Sequence, residues 1–497
     1  MKPLLPLLIF LLAQNILSAQ HRYDDNWVLA RINKGILLNF RNDTVHIEPI
    51  PFLNMRMVEA SVTMSDSAGK LQFYSNNCFI ANAEHQEMDN GNDLGPGVIQ
   101  KYYCPTGGNP MNQSAIVLPD PSRQDRYLYF HLDLQQYNIG QPGGSQSAPL
   151  HLLLSTVDMQ ENNGLGKLVD KNVTVVSDTL SWSALAAVRH ANGRDWWLIC
   201  AEYLTNCYYK ILVDTGGVHL QDKQCIGQEW GRYAISGGTK FTENGSKFVR
   251  SHADYGLNIF DFDRCSDQLS NAIHVSLAPD TNRISGLALS GNSRFAYVTF
   301  LKKIFQFDLE APDIAASKTL VATYDGFQSG GNSTDFYFSQ LAPDGKIYIC
   351  TYGPTYHLHT INQPDSAGLA CQVLQHHVLL PYSHYAAVPY YPNYRLGASS
   401  EPCDSLPVSV THPPAEAALR VYPNPASGGF FVQLPAGQSG QLSLIDGLGK
   451  VWTDIRVDPN ETPQRISLDA MPPGLYCCLL RLASGEKKSV KIVVAQQ

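Results

Sequence analysis

The chain has 497 residues and a formal net charge of −8. That length leaves room for two or three domains, and the negative charge gives no electrostatic reason to expect nucleic acid or an anionic membrane surface as a partner. Its 25 tyrosines, 38 glycines and 30 prolines favour short strands joined by turns over helices, so an all-β protein is the first expectation.

Residues 1–19 are predicted to be a secretory signal peptide. Lys2 precedes an apolar run from Leu4 to Leu12, and Leu17-Ser18-Ala19 provides a small-residue cleavage site. A membrane anchor is the alternative, but this run is too short to cross roughly 30 Å of hydrocarbon as a helix. We see no second long apolar segment, so we expect no transmembrane segment after signal removal.

A pattern of roughly fifty residues recurs along the middle of the chain. Each unit has an apolar strand, a polar turn such as SAGK, NGRD, NGSK or PDGK, an alternating aromatic strand and a closing strand. The turns supply Gly or Asn where a tight hairpin needs positive φ. The closing strands end near Asp158, Asp214, Asp263, Asp308 and Asn362.

The strands of this repeat are apolar on both faces, as RFAYVTF from Arg294 illustrates. A sheet that must be covered on both sides, and that recurs every 40 to 55 residues or so, is typical of a β-propeller blade. We predict a propeller over residues 26–397, with seven blades. A large β-sandwich or jelly roll is the alternative.

The seventh blade is expected to be composite, with strands from NWVLARINKGILLNFRND near the start and YAAVPYYPNY near the end, because such closure removes exposed sheet edges. The region resembles a set of secreted propeller-like proteins of the Bacteroidetes. The resemblance lies in the Trp27-containing strand, in SDSAGKLQFYSNN with HQEMDNG behind it, and in QSAIVLPDP. This resemblance implies a propeller-like fold, but a function is seldom assigned to proteins of that set.

Residues 398–417 are rich in Ser and Pro, which predicts a linker. Residues 418–497 contain short strands and turns that can build a small immunoglobulin-like β-sandwich. Four motifs follow in order along this segment: Tyr422-Pro423-Asn424-Pro425, Asp446-Gly447 with Gly449-Lys450, Pro473-Gly474-Leu475-Tyr476, and the basic-to-apolar finish from Lys487 through Lys488 to Val494.

These motifs make residues 418–497 resemble the type A C-terminal sorting domain of the type IX secretion system. The resemblance implies recognition by the outer-membrane translocon and removal by a sortase-like peptidase. The product is then secreted or attached to the outer-membrane surface. An immunoglobulin-like module that binds sugar or protein is the alternative. The expected motif residues are Tyr422, Pro423, Asn424, Pro425, Gly447, Pro473, Gly474, Tyr476 and Lys488.

The 11 cysteines of an exported chain permit disulfides, and their odd number leaves at least one free thiol. Cys200 and Cys207 flank a predicted hairpin turn and could pair across it, with two buried thiols as the alternative. Cys477 and Cys478 are adjacent on one strand and point to opposite faces, so we do not expect them to bond to each other.

The sequence contains no nucleophile elbow, Walker loop, HExxH helix, dinucleotide fingerprint or CxxC pair. We therefore predict no catalytic residue, cofactor or metal ligand. Two pairs of residues remain candidates for chemistry. His357 and His359 could bind a metal or act as acid and base, with Asp365 behind them. His252 and Asp254 could transfer a proton or close a turn.

Other segments have two interpretations each. Trp196-Trp197 and Tyr390-Tyr391, with Tyr394 behind, could stack on sugar rings or belong to the blade core. The Gly-rich segment Ile139–Pro149 precedes a strand and lacks the helix N-terminus that would favour phosphate, so it is predicted to be a long blade loop.

The leading functional hypothesis is a non-catalytic module that binds a protein or glycan. The rival is a secreted hydrolase or lyase acting on polysaccharide or peptide at the propeller mouth, and a third is a structural part of the gliding or secretion apparatus. An enzyme should group several His, Asp or Glu side chains around one funnel. A binding module should expose an aromatic patch.

Overall fold

The computed structural model describes residues 21–31, 33–105, 107–138, 145–230, 237–252, 255–277, 284–400, 403, 420–422, 424, 426–433, 439–446, 450–457, 464–468, 471–482 and 487–495. The chain divides into two units, residues 1–403 and 404–497. The predicted signal peptide and nearly all of the predicted linker lie outside the described residues.

Seven antiparallel sheets, numbered blades 1 to 7, follow one another along the described part of the first unit. Blade 1 consists of β1 (Asn26–Arg31), β2 (Lys34–Arg41) and β3 (Thr44–Ile50). Blade 2 consists of β4 (Val62–Ser65), β5 (Leu71–Ser75) and β6 (Ile80–Asn82). Blade 3 consists of β7 (Ala115–Pro119), β8 (Arg126–Leu132), β11 (His151–Asp158) and β12 (Lys167–Ser177). A separate ribbon within blade 3 pairs β9 (Gln135–Asn138) with β10 (Ser145–Ala148).

Blades 4 to 7 have four strands each on their main path. Blade 4 consists of β13 (Leu180–Arg189), β14 (Trp196–Glu202), β15 (Cys207–Asp214) and β16 (Gly217–Leu220), with β17 (Gln224–Cys225) beside β15. Blade 5 consists of β18 (Gly237–Phe241), β19 (Lys247–His252), β20 (Gly256–Phe262) and β21 (Leu269–Val275), and blade 6 of β22 (Ile284–Leu289), β23 (Phe295–Phe300), β24 (Lys303–Asp308) and β25 (Thr319–Thr323). Blade 7 consists of β28 (Ser339–Leu341), β29 (Ile347–Ile349), β30 (Thr355–Ile361) and β31 (Val373–His384).

Smaller elements complete the first unit. A two-residue hairpin, β26 (Gln328–Ser329) with β27 (Asn332–Ser333), lies between blades 6 and 7 along the chain. Among the described residues the helical elements are single turns, at Ile99–Tyr103, Asn162–Gly164 and Gly368–Cys371. No helix in the described part of the chain is long and apolar enough to span a membrane.

Neighbouring blades contact each other through their first strands: β1 with β4, β4 with β7, β7 with β13, β13 with β18, β18 with β22 and β22 with β28. The last strand of blade 7, β31, contacts all three strands of blade 1. Because these contacts return to their starting point, the described strands form a closed ring of seven blades. The prediction of an all-β propeller is confirmed.

The repeated hairpin turn and the two-sided strands explain why each blade forms. In the turn between β18 and β19, Gly245 has φ 73°, and its N–H donates to the carbonyl of Thr242 at 2.8 Å. A side chain at this φ would be strained. All six residues of β23 are buried, as expected for a strand that neighbouring sheets cover on both faces.

Residues 385–397, which we call the axial segment, close the ring in an unexpected way. The sequence predicted that part of this stretch pairs with the N-terminal strands, but the described structure assigns it no strand, so that prediction is wrong. Pro389 and Pro392 lack the N–H groups that a ladder needs. The hydroxyl of Tyr391 instead donates to the carbonyl of Asn26 at 2.9 Å.

The disulfides agree with neither alternative for Cys200 and Cys207, a bond between them or two buried thiols. Cys207 bonds to Cys225, and Cys200 is a buried free thiol. The reason is register: Cys200 lies opposite Tyr209, whereas Cys207 lies directly opposite Cys225 of β17. The other disulfides of the described residues are Cys78–Cys104 and Cys265–Cys403. As predicted, Cys477 and Cys478 are not bonded, and they are exposed and buried respectively.

The described residues of the second unit form two small antiparallel sheets, and fourteen of them are buried apolar residues that form a core. The sheet β32–β33–β36 consists of Arg420–Tyr422, Gly429–Gln433 and Gln464–Ser467. The sheet β35–β34–β37–β38 consists of Val451–Val457, Gly440–Asp446, Gly474–Leu482 and Lys487–Val494. Side chains of β37 alternate between the core and the surface, so that Tyr476, Cys478 and Leu480 are buried.

Candidate functional site

Tyrosines of the axial segment occupy the middle of the ring. The hydroxyls of Tyr390 and Tyr394 donate to the carbonyls of Thr239 and Val117 at 3.1 Å and 2.7 Å. Together with Tyr391, these tyrosines are at most 7% exposed. They therefore belong to the core, and the sugar-stacking interpretation of this cluster is wrong.

Trp196 and Trp197 are also core residues. Trp196 is fully buried between the guanidinium of Arg189, 3.9 Å from its ring centroid, and Tyr394. Trp197 is 5% exposed and donates its indole N–H to the carbonyl of Arg264 at 2.8 Å. Neither indole is available to a ligand.

Charged side chains also lie near the middle of the ring, beside these tyrosines. The ammonium of Lys240 donates to Oε1 of Gln340 at 2.6 Å and lies 4.5 Å from the Tyr390 ring centroid. Burial lowers the pKa of Lys240 to about 7 and raises the pKa of Glu243 to about 7. The cavity that both residues line has a volume of about 20 Å³, enough for a water molecule and far too small for a substrate.

The histidines of blade 7 are engaged in local hydrogen bonds. His357 Nδ1 lies 2.9 Å from Ser329 Oγ, and His359 Nδ1 accepts the backbone N–H of His376 at 3.0 Å. Burial lowers the pKa of His359 to about 3, so its imidazole is neutral at physiological pH. Asp365 is not part of this group: its carboxylate accepts the backbone N–H of Asn292 at 2.8 Å.

Within the residues that the structure describes, no group of three or more His, Cys, Asp or Glu side chains could hold a metal ion. His252 is 1% exposed and lies between the rings of Trp230 and Tyr255, at centroid distances of 4.8 Å and 4.7 Å. Its predicted partner Asp254 lies outside the described residues, as do residues 139–144 of the Gly-rich segment. Ser145–Ala148 of that segment form strand β10, so the prediction of a loop is wrong there.

Three exposed aromatic side chains surround the junction of the β26–β27 hairpin with blade 7, and we call them the aromatic rim. Phe327 is 38%, Tyr352 55% and Tyr356 41% exposed. Phe327 stacks on His376 at 4.1 Å, and Tyr352 meets Tyr337 edge to face at 5.1 Å.

Hydrogen bonds hold the junction in place. The backbone N–H of Tyr356 donates to Ser329 Oγ at 3.1 Å, and the Asn332 amide donates to the carbonyl of Pro354 at 3.0 Å. The aromatic rim is thus supported from both sides of the junction. Sequence reasoning missed it, although TYGPTY places two tyrosines around a Gly-Pro turn.

The sorting-motif residues join distant parts of the second unit. The side-chain amide of Asn424 donates to the carbonyl of Lys491 at 2.8 Å and accepts the N–H of Val493 at 2.9 Å. Tyr422 is 42% exposed and stacks on Phe431 at 5.8 Å. Pro423 and Pro425 lie outside the described residues.

The later motifs form turns and strand ends. Tyr476 is 4% exposed, and its hydroxyl donates to the carbonyl of Pro472 at 2.7 Å. Pro473 is exposed, Gly474 begins β37, and the backbone of Lys488 lies opposite Leu480. Gly447 lies outside the described residues.

Comparison with known proteins identifies this second unit. Residues 420–495 match the family described as the secretion system C-terminal sorting domain. No curated protein matches the chain.

Solved structures resemble the chain weakly. A functionally unknown protein from Desulfotomaculum acetoxidans has a TM-score of 0.41 at 10% identity and covers 74% of this chain and 99% of its own. The β-propeller domain of Cps50 (Swd1) from Myceliophteria thermophila has a TM-score of 0.32 at 10% identity, covering 67% and 93%. The periplasmic gluconolactonase of Pseudomonas aeruginosa has a TM-score of 0.36 at 11% identity, covering 74% and 99%. Because these TM-scores are low, we draw no conclusion from these similarities, and the description of the propeller depends on the seven blades alone.

The chain is therefore an exported all-β protein with a propeller and a C-terminal sorting domain. It is a cargo of the type IX secretion system, and it reaches the cell surface or the medium. The sorting domain interacts with the type IX secretion machinery.

Proposed function

We propose that the propeller is a non-catalytic binding module that takes an extracellular protein or glycan at the aromatic rim. The observation that supports this function is the exposure of Phe327, Tyr352 and Tyr356 around one hydrogen-bonded junction. Rigid, exposed aromatic rings supply large contact areas at low entropic cost, to sugar faces and to protein surfaces alike.

The rival hypothesis, a hydrolase or lyase at the propeller mouth, has less support. The charged groups near the axis, Lys240 and Glu243, border a cavity of about 20 Å³. His357 and His359 each use Nδ1 in a local hydrogen bond. A substrate would have to displace the axial segment before it could reach Lys240 or Glu243, because Tyr390 to Asn393 line the same cavity.

The division of the chain also belongs to this proposal. Residues 1–19 direct export across the inner membrane, 26–397 form the propeller, 398–417 the linker and 418–497 the sorting domain. A sortase-like peptidase removes the sorting domain at the linker. The motif residues fix the fold that the translocon reads: Tyr422, Pro423, Asn424, Pro425, Gly447, Pro473, Gly474, Tyr476 and Lys488.

The test uses the mature chain on a glycan array and in a pull-down from the native cell surface. We expect the double variant Tyr352→Ala, Tyr356→Ala to bind its ligand at least about tenfold more weakly, because both rings are lost. The matched control is Tyr102→Ala, which removes a tyrosine of 54% exposure elsewhere on the propeller. Unchanged binding by the double variant, or an equal loss in the control, would contradict the proposal.

A further inference from the structure

An open cavity with polar walls lies at the end of blade 7 opposite to the aromatic rim. The turn Pro343-Asp344 between β28 and β29 borders this cavity, whereas Tyr352 belongs to the next turn, between β29 and β30. Consecutive turns of an antiparallel sheet lie at opposite strand ends. The other walls of this polar cavity include Arg22, Asp25, Asn42, Asp43 and Arg395.

The polar cavity is large enough for a small ligand. Its volume is about 310 Å³, at the lower end of the roughly 300–1,000 Å³ that ligand pockets occupy. The axial cavity beside Lys240 measures about 20 Å³ on the same scale. One sugar-sized group can therefore enter the polar cavity without moving the axial segment.

Asp25 is a buried carboxyl group in the wall of the polar cavity, and it has too few hydrogen-bond donors. It is 2% exposed, and its Oδ1 accepts Arg395 Nη2 at 3.1 Å. Its Oδ2 lies 2.5 Å from Arg22 Nη2, but it accepts no well-directed hydrogen bond from the described residues. Burial raises the pKa of Asp25, and Arg22 acts in the opposite direction. A buried oxygen of this kind is unfavourable until a further donor reaches it.

Two arginines supply donors that are held in place. Arg395 Nη1 donates to Asp24 Oδ2 at 2.7 Å and its Nη2 donates to Asp25 Oδ1 at 3.1 Å, so two carboxylates fix the plane of its guanidinium. A guanidinium has five N–H groups, and these contacts use only part of them. The side chains of Arg22 and Arg395 are 39% and 26% exposed, so both remain accessible from the polar cavity.

Asn42 and Asp43 supply acceptors on another wall. They form the two-residue turn between β2 and β3, with φ values of 51° and 57°, and both are exposed. Within the part of the chain that the structure describes, neither side chain forms a hydrogen bond. The Asp344 carboxylate, by contrast, is buried and accepts the Tyr348 hydroxyl at 2.9 Å and Lys346 Nζ at 3.2 Å. The turn of blade 1 therefore presents the acceptors that a ligand can reach.

The charges of these walls nearly balance. Three carboxylates and two guanidiniums line the polar cavity, and each guanidinium already has a carboxylate beside it. A hydroxyl group both donates and accepts hydrogen bonds, so neighbouring hydroxyls can bond to an arginine and to a carboxylate at once.

We propose that the polar cavity binds one uncharged sugar residue of a glycan, whose neighbouring hydroxyls bridge the arginines Arg22 and Arg395 to Asp25 and Asp43. This site is separate from the aromatic rim, so the inference goes beyond the proposed function.

The experiment measures binding of methyl glycosides to the mature chain by saturation-transfer NMR and titration. The panel holds methyl glycosides of neutral hexoses, deoxyhexoses and pentoses, together with a methyl glucuronide and a methyl glucosaminide as charged comparisons. We expect at least one neutral glycoside to bind more tightly than both charged ones. Its affinity should be nearly the same at low and at high salt, because salt screens only the attraction between charges.

The turn of blade 1 allows a variant that keeps the backbone. Asn42→Gly, Asp43→Gly removes both side chains, and glycine accepts the positive φ of both positions. We expect at least about tenfold weaker binding, because hydrogen bonds to a charged group are lost. The matched control is Asp125→Gly, at an exposed position with φ 60° in the turn between β7 and β8, outside the cavity. The control should bind as the wild type does, and thermal unfolding checks that each variant is folded.

Three outcomes overturn the inference: no binding of any neutral glycoside, tighter binding of a charged glycoside, or equal loss in the turn variant and its control. Binding that is lost in the Tyr352→Ala, Tyr356→Ala variant and retained in the turn variant places the ligand at the aromatic rim, which supports the proposed function and rejects the polar cavity. The reverse pattern supports the polar cavity alone. Binding that neither variant changes rejects both positions.

Discussion

Asn424 and Val493 lie 69 residues apart, and the Asn424 side-chain oxygen accepts the Val493 N–H at 2.9 Å. The same side chain donates to the carbonyl of Lys491, two residues earlier on β38. Ala426 then bonds to Val493 and Ala495 through its backbone. The start of the sorting domain thus holds its last strand, which explains why Asn belongs in the YPNP motif.

Asn424→Ala should therefore destabilise the sorting domain. The variant leaves a backbone N–H and a carbonyl of β38 without their partner, and each such loss costs about 1 kcal/mol. We expect a lower unfolding midpoint for the second unit and less exported protein, measured by immunoblotting of the medium and periplasm. Ser427→Ala, at an exposed neighbouring position, is the control. Equal export of the two variants would count against a role for this clamp.

Deletion of residues 418–497 should leave the protein in the periplasm, because the sorting signal that the type IX machinery recognises is then absent. Cell fractionation measures this directly. Fusion of the same residues to an unrelated periplasmic protein should lead to its export. Normal export of the truncated chain would mean that the signal lies elsewhere.

The Cys265–Cys403 disulfide should stabilise the propeller. It closes a loop of 138 residues, and removing a disulfide of this kind typically costs about 2–5 kcal/mol. We expect Cys403→Ser to unfold at lower denaturant concentration than the wild type under oxidising conditions. Addition of a reductant should bring the wild type towards the variant. Cys477→Ser replaces an exposed free thiol and should have no such effect.

Glu59 should make stability depend on pH. Burial raises its pKa to about 8, although the Tyr337 hydroxyl, 3.4 Å away, acts in the opposite direction. Between the ordinary Glu pKa and pH 8 the folded state binds more protons than the unfolded state, so stability falls as pH rises through this window. We expect Glu59→Gln to match the wild type near pH 4 and to be more stable at pH 8, by a few kcal/mol or less.

Denaturant unfolding at a series of pH values measures the effect. Glu48→Gln, at an exposed position of β3, is the control and should follow the wild-type profile. Parallel profiles for Glu59→Gln and the wild type would show that the carboxyl group is not protonated in the folded chain.

The two units differ in how far the sequence determines them. The sorting domain is recognisable because its motifs are local and ordered, and Asn424 and Tyr476 indeed close specific contacts. The propeller is predictable from its turn chemistry, since Gly245 and its equivalents need positive φ. Both signals depend on residues close together in the chain.

Other features depend on neighbours that sequence spacing does not reveal. Trp196 and Tyr352 are both aromatic residues at strand positions or strand ends, but neighbouring blades cover one and not the other. The partner of Cys207 lies on β17 because the chain returns past β15. Prolines in the axial segment prevent strand pairing while their neighbours still fill the ring.

The position of Cys403 has a consequence for the fate of the exported molecule. It is the last described residue of the Ser- and Pro-rich stretch 398–417, and it is covalently tied to Cys265 of the turn between β20 and β21. A protease that cuts downstream of Cys403 leaves the disulfide intact. An exopeptidase that then trims the new end meets this cross-linked residue before it reaches Tyr394. Maturation can thus shorten the chain without loosening the tyrosines on which the ring closes.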